Sequence, residues 1–254
     1  RDRLRSRGLG DVYKRQESDL IGSREVPESA LYGVQTLRGI ENFRISKFHL
    51  NEYPLFIQAL AITKMGAAVA NRELDLLTEE QADAILKACK EILEGKHHDQ
   101  FPVDMIQGGA GTTTNMNANE VIANRALELM GHQRGEYQYC SPNDHVNRSQ
   151  STNDAYPTAI HIGLYYTHLK LVKHFEVLIE SFRKKATEFA HVIKMGRTQL
   201  EDAVPMTLGQ TFNGFASILR HEVKNLDFAA QDFLTVNMGC LLYTSPSPRD
   251  RSLS

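Results

Sequence analysis

The chain has 254 residues, of which 41% are hydrophobic and 24% are charged, with three cysteines and no tryptophan. This composition is typical of a soluble globular protein of one or two domains, each able to bury a core without disulfides or a structural metal. No apolar run suits a membrane span or a secretory signal, so neither a membrane protein nor a secreted one is expected. Cys89, Cys140 and Cys240 lack CxxC spacing, which indicates neither a zinc site nor a disulfide framework and fits the reducing cytoplasm.

The two ends of the sequence differ in composition from the rest. Residues 1–16 are strongly basic, residues 240–254 are rich in Ser and Pro, and neither segment has a usable hydrophobic period. We interpret both as translated adapter read-through, foreign to the fold; the alternative is a disordered basic arm and a flexible tail. Residues 17–239 carry a net charge of −7, which argues against a nucleic-acid partner. We expect the natural protein to continue beyond Gly239.

The first half of the chain is predicted to contain three helices. Residues 17–53 are predicted as loops with a short hairpin, because glycines and a proline interrupt every longer period. Apolar residues at helical spacing predict a helix over 54–74. A second helix over 78–95 opens with a capping-box spacing of Thr and Gln and stops at a glycine. A third is predicted over 117–130, again with a glycine after it.

Two long helices with coiled-coil periodicity are predicted after residue 149. Along the first, one series of leucines and one of phenylalanines each repeat by seven, offset by four: Leu164, Leu171, Leu178, Phe175, Phe182 and Phe189. Residues 207–238 have similar spacing, and a short connection containing Gly196 and Pro205 joins the two. Helices connected in this way are expected to be antiparallel neighbours, and helices of this length usually build a bundle shared between subunits.

The predicted fold class is therefore mainly all-α. A small, mostly helical N-terminal domain is expected over 17–147, followed by the first part of a central helical bundle over 148–239.

Three polar stretches rich in small residues lie beside predicted helix ends. The first, 108–115, precedes the third helix, and its backbone N–H groups suit an anion. The second, 149–154, holds more hydroxyl and amide side chains than capping one helix requires, which favours a carboxylate pocket. The third, 196–202, lies between the long helices. The alternatives are a helix-capping loop for the first, capping alone for the second and a solvated turn for the third.

At these stretches the sequence resembles a known family. The segments QGGAGTTTNMNANEVIANRALELMG, SPNDHVNRSQSTNDAYPTAIHI and GRTQLEDAVPMTLGQTF are similar to the first two signature regions of the aspartase/fumarase superfamily, with the intervening turn. The similarity covers essentially residues 17–239 and includes REVPESALYGVQTLRGIENF. Two features, GEYQYCSPNDHVN and Gln199, where class II fumarases typically carry a His, most resemble the branch that converts L-aspartate reversibly into fumarate and ammonia.

The resemblance implies a set of substrate ligands: Thr112, Ser151 and Thr152 for the β-carboxylate, Asn153 for the amino side, and Thr198 for the α-carboxylate. It gives Gln199 a neutral hydrogen-bonding role, since an amide is no general base near pH 7. The family's base is a serine in a third signature, GSSxMPxKxN, which this sequence lacks, so we expect the chain alone to be inactive. The resemblance also implies a homotetramer with active sites shared between subunits. No metal cluster or cofactor motif appears in the sequence, so neither a cofactor nor a metal is expected.

Two alternatives stay open. A class II fumarase would hydrate fumarate to malate in the same carboxylate pocket, although Gln199 argues against it. A non-catalytic helical scaffold would keep the bundle without the chemistry, and a natural stop near Ser254 would favour it.

Overall fold

Helices dominate the chain, which a computed structural model describes for residues 13–109 and 111–238. The strands are β1 (Lys14–Asp19), β2 (Gly22–Pro27), β3 (Ile193–Thr198) and β4 (Glu201–Thr207). The helices are α1 (Val34–Asn42), α2 (Pro54–Glu73), α3 (Glu79–Leu93), α4 (Thr112–Leu129), α5 (Thr152–Glu188) and α6 (Leu208–Ala230). Short helical turns occupy Leu50–Glu52, His98–Gln100, Pro142–Val146 and Gln231–Leu234. The prediction of a mainly all-α fold is confirmed, with two antiparallel hairpins added to it.

The described residues form two compact units. The first comprises residues 13–163 with 236–238, and the second comprises 164–235. The long helix α5 therefore contributes residues to both units. The predicted division into domains 17–147 and 148–239 stays a prediction.

The β1–β2 hairpin begins inside the end that was set aside as foreign. The Arg15 guanidinium donates to the carbonyls of Pro27 at 3.0 Å, Ala30 at 2.7 Å and Tyr32 at 2.7 Å. Residues 14–16 form half of β1, and the interpretation of residues 1–16 as foreign stays a prediction. Composition and hydrophobic periodicity cannot predict the Arg15 hydrogen bonds, because their acceptors are backbone carbonyls. The rest of the two ends, apart from Tyr13, lies outside the described residues.

Three helices build the core of the first unit. α3 packs against both α2 and α4 and buries one apolar face: Ala82, Ile85, Ala88, Cys89 and Ile92. The Thr78 side chain accepts the N–H of Gln81 at 3.2 Å, which confirms the predicted capping box. Gly95 follows the helix with a φ of +88°, in the left-handed region that glycine enters at little cost.

Two helices of the first unit differ from the prediction. α4 begins at Thr112 rather than at 117, because its first turn is polar and hydrogen-bonded to the preceding loop instead of marked by apolar spacing. α1 lies within the segment 17–53, where a loop was predicted; only the hairpin there is confirmed. α1 is nine residues long and contains Gly39, so its sequence carries a weak helical signal.

In the second unit, α5 and α6 are antiparallel neighbours, as predicted. The Phe182 ring, near the end of α5, lies 6.0 Å from Phe212 and 5.6 Å from Phe215, near the start of α6. At the opposite end of the pair, His168 Nε2 lies 2.9 Å from Asp227 Oδ1. These contacts fix both the direction and the register of the pair.

The connection between these helices is a β-hairpin, where only a short link was predicted. β3 pairs with β4 from Ile193 opposite Thr207 to Thr198 opposite Glu201. α6 ends at Ala230 rather than near residue 238, so the predicted helix was too long.

Two thiols are buried in the first unit. Burial raises the pKa of both Cys89 and Cys140 to about 12, so they stay protonated at neutral pH. Across the part of the chain that the structure describes, none of the helices has the length and apolar character to cross a membrane.

Candidate active site

A tight loop leads into α4. The Gln107 side chain holds both polar groups of Thr114: its Oε1 accepts the Thr114 N–H at 2.9 Å, and its Nε2 donates to the Thr114 hydroxyl at 2.7 Å. Gly109 and Gly111 turn the backbone between them with φ of +72° and +88°. Thr112 then begins α4 as an exposed residue. The loop therefore presents Thr112 at a helix N-terminus, where the helix dipole favours an anion.

The start of α4 packs against the start of α5. A Cβ atom at Gly111 would lie 2.5 Å from carbons of the Tyr156 ring, so no side chain fits there. A cavity of about 660 Å³ opens beside this contact, and residues of the loop and of α5 line it: Met105, Ile106, Gln107, Gly109, Gly111, Asn153, Tyr156 and Pro157. The structure thus brings Asn153 to the same cavity as the loop that carries Thr112.

Ser151 and Asp154 cap α5. The Ser151 hydroxyl accepts the Asn153 N–H at 3.2 Å, and the Asp154 carboxylate accepts the Ser151 N–H at 2.9 Å. This reciprocal pair resembles a capping box, and it does not use the Thr152 side chain. The Thr152 hydroxyl instead accepts the Asn115 amide at 3.2 Å. Because both hydroxyls accept a hydrogen bond, their own O–H protons can be donated to a ligand.

A buried lysine lies behind the start of α5. Lys64 of α2 donates to three side-chain oxygens: Asn115 Oδ1 at 2.8 Å, Asn147 Oδ1 at 2.9 Å and Gln150 Oε1 at 3.0 Å. The side chain is completely buried, and burial lowers the pKa of Lys64 to about 7, although the Asp154 carboxylate opposes the shift. The site therefore contains a buried basic group that titrates near neutral pH.

Sequence reasoning missed Lys64, because its only signal is a position on the apolar face of α2. The buried positions of α2 include Ile57, Leu60 and Ala68, and Lys64 falls on the same face at helical spacing. A lysine on an apolar face usually extends its ammonium group to solvent, so the pattern alone predicts a surface position.

The comparisons with known proteins match this region and most of the chain. A model of the family described as "Lyase" matches residues 22–246. The chain belongs to this lyase family. This lyase chain is 56% identical over 226 residues to an aspartate ammonia-lyase of Escherichia coli (strain K12), and 57% identical over 226 residues to one of Pseudomonas canavaninivorans. Each match covers 89% of this chain, and 47% and 48% of the two relatives, so the chain spans about half the length of the curated relatives it matches.

Solved structures show the same fold. A fumarate lyase:delta crystallin from Brucella melitensis is similar with a TM-score of 0.87 and 51% identity, over 89% of this lyase chain and 53% of that one. A class II fumarase from Schistosoma mansoni is similar with a TM-score of 0.80 and 36% identity, over 88% of this chain and 47% of that one.

Thr198 and Gln199 lie in the second unit of the lyase chain. Thr198 ends β3 opposite Glu201, and the turn between them consists of Gln199 and Leu200, with φ of +50° and +66°. Residues with side chains rarely adopt this conformation, and such backbone strain is frequent at ligand-binding positions. Thr198 and Gln199 are both exposed. The third polar stretch is therefore the tip of a hairpin that presents both side chains to solvent.

The histidines after α3 have structural partners. His97 Nε2 lies 3.0 Å from the Glu91 carboxylate, and His98 Nε2 lies 2.8 Å from the Ile92 carbonyl oxygen. Within residues 13–109 and 111–238, no three His, Cys, Asp or Glu side chains are grouped so that they could hold a metal ion.

Proposed function

We propose that the protein catalyses the reversible deamination of L-aspartate to fumarate and ammonia by anti elimination. The observation that carries this proposal is that the loop leading into α4 and the first turn of α5 line one cavity, with Gln107 and Asn153 among its lining residues and Thr112 next in sequence to the lining Gly111. The identity to aspartate ammonia-lyases of several bacteria, between 55% and 57%, supports the same reaction.

The substrate ligands of this proposal are those that the resemblance implies. Thr112, Ser151 and Thr152 bind the β-carboxylate, because hydroxyl donors and a positive helix end suit an anion. Asn153 contacts the amino side of the substrate from the cavity wall. By the same resemblance, Thr198 binds the α-carboxylate, and Gln199 supplies a neutral hydrogen bond.

These donors also stabilise the charge that forms in the difficult step of the reaction, the removal of the Cβ proton. When a base removes the Cβ proton of aspartate, negative charge moves onto the β-carboxylate as an enolate-like dianion, and the C–N bond then breaks on the opposite face. Donors fixed around that carboxylate bind the dianion more strongly than the substrate, and this difference lowers the barrier. The motif to which the resemblance assigns the base, GSSxMPxKxN, is not in the 254-residue sequence, so we propose that the chain alone is inactive.

Assembly and location belong to the same proposal. We place the protein in amino-acid metabolism in the cytoplasm, as a homotetramer whose subunits share active sites. Support for assembly comes from α5, where three leucines at seven-residue spacing are each more than 40% exposed: Leu164, Leu171 and Leu178. Such a row is suited to packing against helices of other subunits.

The test is to express the uninterrupted reading frame and to follow fumarate absorbance after adding L-aspartate, with L-malate as a parallel substrate. Fumarate formed from aspartate supports the proposal. Thr152→Val, which keeps the shape and removes the hydroxyl, is expected to lower kcat/KM about 100-fold, in line with the loss of one donor to a developing anion. Thr187→Val, an exposed threonine of α5, serves as the matched control and is expected to keep wild-type kcat/KM.

A second candidate is fumarate hydration. The similarity to the Schistosoma mansoni class II fumarase favours it, since that enzyme shares the fold at 36% identity. Turnover of malate without turnover of aspartate would transfer the assignment to this reaction.

A further inference from the structure

Three carboxamide side chains in the first unit turn their oxygens toward one ammonium group. Lys64 reaches them from α2, while Asn115 lies on α4, Asn147 follows the helical turn Pro142–Val146, and Gln150 precedes α5. A lysine ammonium group has three donors and no acceptor. Each amide must therefore present its oxygen to Lys64 and its NH₂ group elsewhere.

For Asn115 this orientation has a direct consequence at the carboxylate pocket. Its NH₂ group donates to Thr152 Oγ1 at 3.2 Å and to Asn147 Oδ1 at 3.1 Å. The Thr152 oxygen therefore accepts, and its own proton is directed to another acceptor. If the Asn115 amide were reversed, its oxygen would face the Thr152 hydroxyl and accept the proton that a ligand needs.

We propose that Lys64 is a positioning residue, which orients the Thr152 hydroxyl toward a substrate carboxylate through Asn115 and takes up a proton when the dicarboxylate binds. This inference rests on the proposed function, because it requires the carboxylate to bind at Thr152. A protonated Lys64 holds all three amide oxygens. A neutral amine has a lone pair that repels one of them, and the Asn115 orientation is then no longer fixed.

The charges around Lys64 make the coupling possible. Asp154 on α5 favours the ammonium form, Cys89 on α3 is a protonated thiol at neutral pH, and the three direct contacts are neutral amides. With burial holding the pKa of Lys64 near 7, much of the unliganded protein carries a neutral amine at pH 8. A bound dianion favours the ammonium form, so binding at pH 8 consumes protons.

The experiment is calorimetry of fumarate binding to the complete protein in ammonium-free buffers at pH 8. Two buffers with different ionisation enthalpies give the number of protons taken up. We expect uptake by the wild type, and for Lys64→Met no uptake and about tenfold weaker binding. Lys87→Met, an exposed lysine of α3, is the matched control and should retain both wild-type uptake and affinity. Equal uptake by Lys64→Met and wild type would overturn the inference.

A second measurement needs no variant and stays valid if Lys64→Met fails to fold. At pH 6, Lys64 is already protonated in the wild type, so the proton uptake seen at pH 8 should disappear. Uptake that is unchanged at pH 6 would contradict the inference while leaving fumarate binding, and with it the proposed function, intact. Absence of both fumarate binding and aspartate turnover in the wild type would instead overturn the proposed function and the inference together.

Discussion

Gly111 allows the starts of α4 and α5 to approach closely, because it has no side chain. Its φ of +88° is available to glycine, and its Cα faces the Tyr156 ring with no room for a methyl group. The neighbouring Thr112 begins α4 directly after this close approach. Gly111 therefore determines the backbone path at the start of α4, where the proposed substrate-binding residue Thr112 lies.

Gly111→Ala is expected to reduce the free energy of unfolding by about 2–5 kcal/mol, because left-handed strain and overlap with Tyr156 add together. Gly131→Ala separates the two effects, since Gly131 has a φ of +83° and nothing within 4 Å of an added Cβ. That control should lose only about 1–2 kcal/mol. Chemical denaturation measures both, and equal losses would show that the overlap is relieved by movement of the ring.

At this scale the sequence predicts the polar groups that we propose to face a ligand better than the residues that support them. Thr112, Ser151 and Asn153 belong to dense polar runs, which are visible without a structure. Lys64 stands alone in an apolar helix, and Asn147 lies in a turn with many other polar residues. Their functional relation appears only when the chain folds, because the contacts join residues 51 to 86 positions apart.

At the scale of elements, α1 depends on a distant carboxylate. Glu120 of α4 accepts the N–H groups of Gly33 at 2.9 Å, Gln35 at 2.8 Å and Thr36 at 3.0 Å, and also the Thr36 hydroxyl at 2.6 Å. These are the unpaired donors that begin every helix. A helix capped from more than 80 residues away carries no local capping signal, which explains why α1 was predicted as a loop.

Glu120→Gln is expected to lower the free energy of unfolding by about 1.5–3 kcal/mol, because the amide NH₂ group would face one of these donors. Glu80→Gln is the matched control, since Glu80 is exposed at the start of α3, and it should change stability by less than about 0.5 kcal/mol. Denaturant titration at pH 7 distinguishes them. An unchanged midpoint for Glu120→Gln would show that α1 does not need this cap.

The β3–β4 turn offers a stabilising change. Leu200 is almost fully exposed at a φ of +66°, so Leu200→Gly removes strain without removing packing and should stabilise the protein by about 1 kcal/mol. Leu74→Gly is the control, because exposed Leu74 has a φ of −97° and should lose stability instead. A melting temperature that falls for both variants would contradict the assignment of strain to this turn.

Elements with strong local signals were the predictable ones. α2 and α3 carry regular apolar spacing or a capping box, and both match the prediction closely. The β3–β4 hairpin has neither alternation nor a glycine pair in its turn, and most of its residues are exposed. Sequence reasoning therefore had no basis for separating it from a solvated link.

For the whole molecule, two buried groups shape the pH dependence of stability in opposite directions. Burial lowers the pKa of Lys64 to about 7, so between about pH 7 and 10.5 the unfolded chain binds more protons than the folded chain. The contribution of Lys64 to the free energy of unfolding therefore increases as the pH rises through that window. Burial raises the pKa of Glu120 to about 6, so the folded state binds more protons between about pH 4.5 and 6, and stability falls as pH rises there.

Lys64→Met is therefore expected to flatten the stability profile between pH 7.5 and pH 9.5, by roughly 1 kcal/mol per pH unit relative to wild type. Urea denaturation at intervals of half a pH unit measures the slopes. Lys87→Met again provides the control and should follow the wild-type slope. Identical slopes for all three proteins would mean that Lys64 keeps an ordinary pKa.

Assembly is tested at the same scale. Leu171→Lys places a charge in the leucine row of α5 and is expected to lower the mass of the complete protein below four chains in light scattering, because charged residues are poorly tolerated in a buried helical seam. Glu176→Lys changes an exposed residue of α5 outside that row and should leave the mass unchanged. A wild-type protein of one-chain mass would exclude the proposed tetramer.

The two buried thiols can report local unfolding of the first unit. Cys89 and Cys140 are fully covered and protonated at neutral pH, so an alkylating reagent reaches them only when the surrounding helices separate. With Cys240 replaced by serine, the labelling rate of each thiol measures how often its surroundings unfold. Equal labelling rates for Cys89 and Cys140 would indicate that the helices around α3 and the segment before α5 unfold together. Unequal rates would identify which of these parts unfolds more readily.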